Sequence, residues 1–209
     1  MNYINFNNKK INPSKIICVG RNFVDHITEL NNEIPENIVI FNKPNSSISH
    51  ELFYFSEDTR FEGELCFLVA NKKIIGIGFG LDLTKANIQN KMKEKGLPWE
   101  RAKSFNGSAV FSNFIEFNGD MKNLTFKLFI NEKLQQEGNY ELMIYKPEIM
   151  IEEIETFMSI EDGDIIMSGT PKGVGTYKVN DTFRFVIYYK EEILVENIWN
   201  VKNNNGCHF

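Results

Sequence analysis

Arg60-Phe-Glu-Gly-Glu-Leu-Cys-Phe-Leu-Val-Ala70-Asn-Lys-Lys-Ile74-Ile-Gly-Ile-Gly-Phe-Gly80-Leu-Asp-Leu-Thr84 is the stretch on which the fold turns. Two apolar runs, Glu62 to Ala70 and Ile74 to Leu83, flank Asn71-Lys72-Lys73, a turn typical of a β-hairpin. Strand residues two apart share a face, roughly 6.6 Å apart along the strand. Glu62 and Glu64 therefore aim together, with Cys66 and Leu68 continuing their face and Gly63 leaving the opposite side uncrowded. Asp82 ends the second run. If the two strands pair, three carboxylates converge at one sheet rim. Acids so close repel unless one takes a proton or a cation binds. Oxygen-only ligands suit Mg²⁺, Mn²⁺ or Ca²⁺. The competing reading is a solvated strand edge, with Asp82 capping the helix that follows.

Outward from this hairpin, Lys15-Ile-Ile-Cys-Val-Gly20 and Ile38 to Phe41 read as strands. A helix is expected over Thr84 to Lys95, capped by Asp82 or Thr84 and stopped by Gly96 and Pro98. Thr125 to Ile130 and Lys133 to Glu137 form a second hairpin. Pro147 opens a helix to Met158, and Met150, Ile154, Phe157 and Met158 make its apolar stripe. Asp164 to Ser168, Thr182 to Tyr189 and Ile193 to Trp199 add strands. Strands outnumber helices without regular alternation, which predicts an α+β fold. No composition break divides the 209 residues, so one domain is expected over 1–209. Residues 1–14 read as an N-terminal extension and 203–209 as a flexible tail.

The net charge of −5 and the absence of a basic run argue against nucleic acid as a partner. Three scattered cysteines support neither a disulfide framework nor a zinc knuckle. No apolar run reaches the roughly 20 residues of a membrane helix. The first ten residues lack an apolar or Arg-rich leader, and a cytoplasmic location is expected. Gly169-Thr-Pro-Lys-Gly-Val-Gly175 lacks the ending of a phosphate-binding loop, and Gly76-Ile-Gly-Phe-Gly80 lacks dinucleotide-fingerprint spacing. The first remains a candidate for backbone N–H groups approaching an anion.

Histidine occurs three times. His26 and Glu29 stand three apart on one face of a helical turn. They could form a proton-transfer dyad or a surface ion pair.

Seven stretches in order resemble the fumarylacetoacetate hydrolase family, nearest its short acylpyruvate hydrolase and oxaloacetate decarboxylase members. They are Cys18-Val-Gly-Arg-Asn-Phe-Val-Asp-His-Ile-Thr-Glu29, Phe41-Asn-Lys-Pro44, Glu62-Gly-Glu-Leu65 and Leu81-Asp-Leu-Thr84. Lys95-Gly-Leu-Pro-Trp99, Ala102-Lys-Ser-Phe105 and Gly163-Asp-Ile-Ile-Met-Ser-Gly-Thr-Pro-Lys-Gly-Val-Gly175 complete the set. The resemblance implies a β-rich, mixed-sheet α+β roll with few short helices, and a homodimer. It implies that Glu62, Glu64 and Asp82 hold Mg²⁺ or Mn²⁺, that His26 and Glu29 form a dyad on a lid, and that Lys103 faces the reacting carbon skeleton. Arg21, Lys43, Gln89, Gly169 and Thr170 are the implied substrate contacts, with Gly169 and Thr170 offering N–H and hydroxyl donors to a carboxylate. The implied activity is cleavage of a C–C bond in a small β-dicarbonyl keto acid through a metal-stabilised enolate. That would be acylpyruvate hydrolysis or oxaloacetate decarboxylation. The alternatives are an enol-acid isomerase or tautomerase on the same fold, or a non-catalytic binding homologue. One departure bears on the substrate. Where the family often carries Asp-x-Thr-Ala-Arg-Asp-x-Gln, this chain reads Asp82-Leu-Thr-Lys-Ala-Asn-Ile-Gln89, with Ala86 in place of the arginine. Likewise, Gln135-Gln136 stands where the family hairpin has Arg-Gln.

Overall fold

A computed structural model describes residues 1–24 and 37–204. The main strands are β1 (Lys15–Gly20), β2 (Val39–Pro44), β3 (Gly63–Ala70), β4 (Lys73–Asp82), β5 (Ala109–Phe111), β6 (Leu124–Ile130), β7 (Lys133–Asn139), β8 (Ile165–Met167), β9 (Thr182–Tyr189) and β10 (Glu192–Asn200). The helices are α1 (Ala86–Glu94), α2 (Glu100–Lys103) and α3 (Pro147–Glu155). β3 and β4 pair antiparallel, with Glu64 opposite Gly80 and Gly63 opposite Leu81. Their turn holds Asn71 and Lys72 at φ 49° and 58°, the left-handed pair that two-residue hairpins require.

The larger sheet runs β2-β1-β8-β3-β4-β5, with Ile48–Ser49 added parallel to β5. β8 is parallel to β1 and antiparallel to β3. A second antiparallel sheet runs β7-β6-β9-β10. Period-two alternation decides what lies between them. Leu65, Phe67 and Val69 of β3 and Ile77, Phe79 and Leu81 of β4 meet Phe126, Leu128, Phe183, Phe185 and Ile187 of the second sheet. Phe79 stacks on Phe185 at 4.5 Å between centroids. Each such ring, once buried, contributes roughly 1.5–3 kcal/mol. The alternate residues Cys66 and Leu68 pack on the other face with Cys18, Ile165 and Met167. Glu64 lies at the end of that second row.

In the N-terminal extension, residues 1–14, Ile4–Phe6 pairs with Lys9–Ile11, and Ile4 is fully buried. Three expectations change. The helix after β4 starts at Ala86, and neither Asp82 nor Thr84 caps it. Asp58 does so, accepting the Asn87 N–H on its carboxylate at 3.1 Å and the Ala86 N–H on its carbonyl. The helix opened by Pro147 ends at Glu155, so Phe157 lies beyond it and is exposed. Lys202–Asn203 pairs in parallel with Phe53–Tyr54, docking the start of the predicted tail; 205–209 lie outside the described residues. No helix among the described residues is long and apolar enough to cross a membrane.

Candidate active site

The β3–β4 ladder continues one step past the strand end. Glu62 donates its N–H to the Asp82 carbonyl at 3.1 Å, and Asp82 returns one to Glu62 at 2.9 Å. The acids therefore meet as the pairing dictates, with one ligand atom from each of Glu62, Glu64 and Asp82 within 4.8 Å of the others. Glu64 and Asp82 are 2% and 1% exposed, which excludes the solvated-edge reading. Gly63 is needed for the reverse of the expected reason. A Cβ there would stand 2.9 Å from both Gln136 Oε1 and Phe79, so the opposite side is crowded. Gln136 reaches across from β7. Its Oε1 accepts the Gly63 N–H at 2.9 Å, and its Nε2 donates to Thr170 Oγ1 at 2.7 Å and to the Pro171 carbonyl.

Two lysines balance part of the charge. Lys103, at the end of α2, puts its ammonium 2.7 Å from Asp82 Oδ2 and 3.0 Å from both Glu62 oxygens. Burial works against that ammonium, but Asp82 and Glu62 more than restore it, so its pKa lies above the ordinary lysine value. Lys43 is fully buried, 2.8 Å from Asp82 Oδ1. It donates to the Lys103 carbonyl and to Ser108 Oγ. Lys43 is thus a counter-ion beneath Asp82, closed off from a substrate, which corrects its expected role. Glu64 has no such relief. Its Oε2 accepts the Gly169 N–H at 2.7 Å, and among the described residues no basic side chain pairs with it. Burial, then the charges of Asp82 and Glu62, push its carboxyl well above the usual range. Among the described residues, the three carboxylates outnumber the two ammonium groups that pair with them, so a bound divalent cation would let all three ionise. The oxygen-only donor set fits a hard divalent cation.

Gly169 and Thr170 are at the site but face inward. Gly169 spends its N–H on Glu64, and Thr170 Oγ1 donates to the Gly63 carbonyl at 2.9 Å. These groups hold a candidate ligand and its strand in place, rather than presenting donors to a substrate carboxylate. Gly169 has φ +89°, and a Cβ would stand 2.9 Å from the Val19 carbonyl. That close approach of β1 to the loop after β8 accounts for the glycine.

Arg21 and Gln89 line the cavity above the acids, together with Lys93, Phe41 and Trp99. Arg21 is held at φ 55°, a conformation that costs a non-glycine residue of order 1–3 kcal/mol. His26 and Glu29 lie outside the described residues. Lys93 and Gln136 escaped the sequence reading as functional residues. Lys93 is one of two lysines on α1, and helical spacing from Gln89 is the signal that could have found it. A larger cavity of about 590 Å³ lies over Leu134, Gln135, Leu142 and Pro171. The acids do not open into it, so we place the chemistry at the smaller one.

Residues 15–196 match the fumarylacetoacetate (FAA) hydrolase C-terminal family. Oxaloacetate tautomerase YcgM of Escherichia coli (strain K12) is 36% identical over 187 residues, covering 80% of this chain and 85% of that protein. The crystal structure of a candidate fumarylacetoacetate isomerase/hydrolase from Oleispira antarctica superposes with a TM-score of 0.89 at 32% identity, over 96% of this chain and 100% of that one. Fumarylpyruvate hydrolase from Pseudomonas aeruginosa, crystallised with Mn²⁺ and pyruvate, gives a TM-score of 0.85 over 98% of this chain and 97% of that one. At 22% identity that is a likeness of fold alone. By the matched length and the identity to its relatives, the chain belongs to the fumarylacetoacetate hydrolase family, whose β-rich roll it shares.

Proposed function

We propose that this protein is a divalent-cation-dependent enzyme that interconverts the keto and enol forms of a small β-keto diacid of the oxaloacetate type. One observation carries the reading: the carboxylates of Glu62, Glu64 and Asp82 converge within 4.8 Å of one another and outnumber the two ammonium groups, Lys43 and Lys103, that pair with them. The 36% identical oxaloacetate tautomerase favours proton transfer over bond cleavage.

Glu62, Glu64 and Asp82 would hold Mg²⁺ or Mn²⁺, which supplies a Lewis acid for the oxygens of a keto acid. The remaining work belongs to side chains of this chain. Lys103 keeps its proton, so it serves as a fixed positive charge beside the oxygen where enolate charge develops. It is unsuited to act as a base. His26, oriented by Glu29, takes the proton from the carbon between the two carbonyl groups and returns one to oxygen; their spacing of three supports this assignment. Gly169 and Gln136 hold Glu64 and the Glu62-Gly63-Glu64 backbone in place. Acylpyruvate hydrolysis and oxaloacetate decarboxylation also generate an enolate, and the same acids and lysine would serve them.

The test follows the enol absorbance of oxaloacetate with Mg²⁺, alongside acetylpyruvate loss and CO₂ release. The proposal expects fast enol–keto interconversion that chelator stops, with cleavage of either compound much slower. Acetylpyruvate cleaved faster than oxaloacetate is tautomerised would return the chain to the hydrolase reading.

A further inference from the structure

Lys103 lines two cavities. The smaller, over the acids, offers about 40 Å³, room for roughly three waters. The larger, about 410 Å³, is a groove beside β2 and the start of α2, with Val39, Ile40, Leu97 and Pro98 in its wall. Phe41 and Trp99 line both. Their rings meet edge to face, 5.7 Å between centroids. Each ring has an ammonium over its face: Lys103 lies 5.2 Å from the Phe41 centroid and Lys93 lies 5.4 Å from that of Trp99. Trp99 and Lys103 stand four residues apart, about one helical turn, so their side chains lie on the same side. The Trp99 carbonyl accepts the N–H groups of Ala102 and Lys103 at 2.8 and 2.9 Å. The backbone of Trp99 thus seats Lys103, while its ring forms part of the wall between the cavities.

The acid cavity is small and ionic, and the groove is larger and mostly apolar. We infer that Phe41 and Trp99 form an aromatic partition that keeps ligands at the acids out of the groove, with Trp99 as the specificity-determining residue. A 2-keto acid whose far end is bulky and apolar has to displace the Trp99 ring before its ketone reaches the acids and Lys103. Removing the ring joins the cavity to the groove. The apolar end then leaves water for the groove, which adds to affinity. This rests on the keto-acid reading above and adds which side chain bars the longer ligands.

The experiment titrates Mg²⁺-loaded protein calorimetrically with pyruvate and with phenylpyruvate, a 2-keto acid that ends in a ring. The readout is the ratio of the two affinities, which wild type should hold in favour of pyruvate. Trp99→Ala should move the ratio toward phenylpyruvate about tenfold or more, with Trp99→Phe in between. Leu97 is exposed and lines the groove but not the acid cavity. Adding Leu97→Trp to Trp99→Ala refills the groove and should reverse the shift, and Leu97→Trp alone should leave the wild-type ratio in place. Substitution at Trp99 keeps the bonds to its backbone carbonyl, and unfolding midpoints check that each variant folds. If Trp99→Ala does not fold, Trp99→Phe reads the same shift at smaller size. A ratio unmoved by the Trp99 variants, a shift that Leu97→Trp does not reverse, or a wild type that favours phenylpyruvate would overturn the partition. A shifted ratio in a protein that does not tautomerise oxaloacetate would sink the proposed reaction and keep the partition. Tautomerisation with an unmoved ratio would do the opposite, and failure of both ligands to bind any of these proteins would overturn both.

Discussion

Gln136 accepts the backbone N–H of Gly63 at 2.9 Å, across the join between the two sheets. Gly63 sits between two candidate metal ligands, so a side chain on β7 sets the backbone from which Glu62 and Glu64 project. The same amide donates to Thr170 Oγ1, which donates to the Gly63 carbonyl. All of these groups are buried.

Gln136→Ala leaves a buried amide N–H and a buried carbonyl without partners. We expect a loss of about 2 kcal/mol in stability by urea unfolding, together with weaker divalent-cation binding. Gln136→Glu should restore the acceptor toward Gly63 but not the donor toward Thr170, giving an intermediate loss. Cation affinity unchanged in Gln136→Ala would show that the clamp does not position the ligands.

Lys103→Met removes an ammonium that pairs with two carboxylates, Glu62 and Asp82. Breaking a buried pair from one side costs about 3–5 kcal/mol, so the cation-free variant should unfold much earlier than wild type. Divalent-cation affinity should rise, because a competing positive charge is gone, while turnover should fall by about 10²–10³. Calorimetric titration with Mg²⁺ and initial rates on oxaloacetate measure the two effects. A parallel fall in affinity and turnover would mean that Lys103 organises the site rather than stabilising developing charge.

Glu64 makes a pH prediction. Burial raises its carboxyl in the folded state, so folding takes up a proton there. Its contribution to stability is full below the unfolded glutamate pKa, about 4.3, and is lost as pH rises through the raised folded value. In chelator, the unfolding midpoint of wild type should therefore decline from the ordinary carboxylate range upward, relative to Glu64→Gln. Mg²⁺ should remove the decline. Parallel curves for the two proteins in chelator would contradict the assignment.

Asp58→Ala tests the helix start. It removes an acceptor for the Asn87 N–H and should cost about 1 kcal/mol. Asp82→Asn should act instead on cation binding, because the Asp82 carboxylate faces Lys43 and Lys103. Thermal unfolding of both variants, with and without Mg²⁺, separates the two roles.

Much of this architecture is legible in the residues. The apolar runs Glu62 to Ala70 and Ile74 to Leu83 mark the two strands and Asn71-Lys72-Lys73 marks their turn, so the meeting of Glu62, Glu64 and Asp82 follows once the runs pair. What escapes is non-local. Thr59–Phe61 and Ile48–Ser49 are too short to show a period and exist through their partners, Thr84–Lys85 and β5. Asp58 caps a helix that begins 28 residues later. Lys43 passes for a substrate contact until its burial is known. Gly63 is the instructive error: spacing revealed that a side chain was missing, but not that Gln136 and Phe79 fill the space.

The central claim is that Glu62, Glu64 and Asp82 hold the divalent cation on which turnover depends. Equilibrium binding of Mn²⁺, followed with oxaloacetate tautomerisation on the same preparations of wild type and Glu64→Gln, tests it most directly. The account predicts one cation per chain in wild type, loss of that binding in Glu64→Gln, and loss of turnover in the variant and in chelator alike. Full turnover in chelator, or wild-type cation binding by Glu64→Gln, would contradict it.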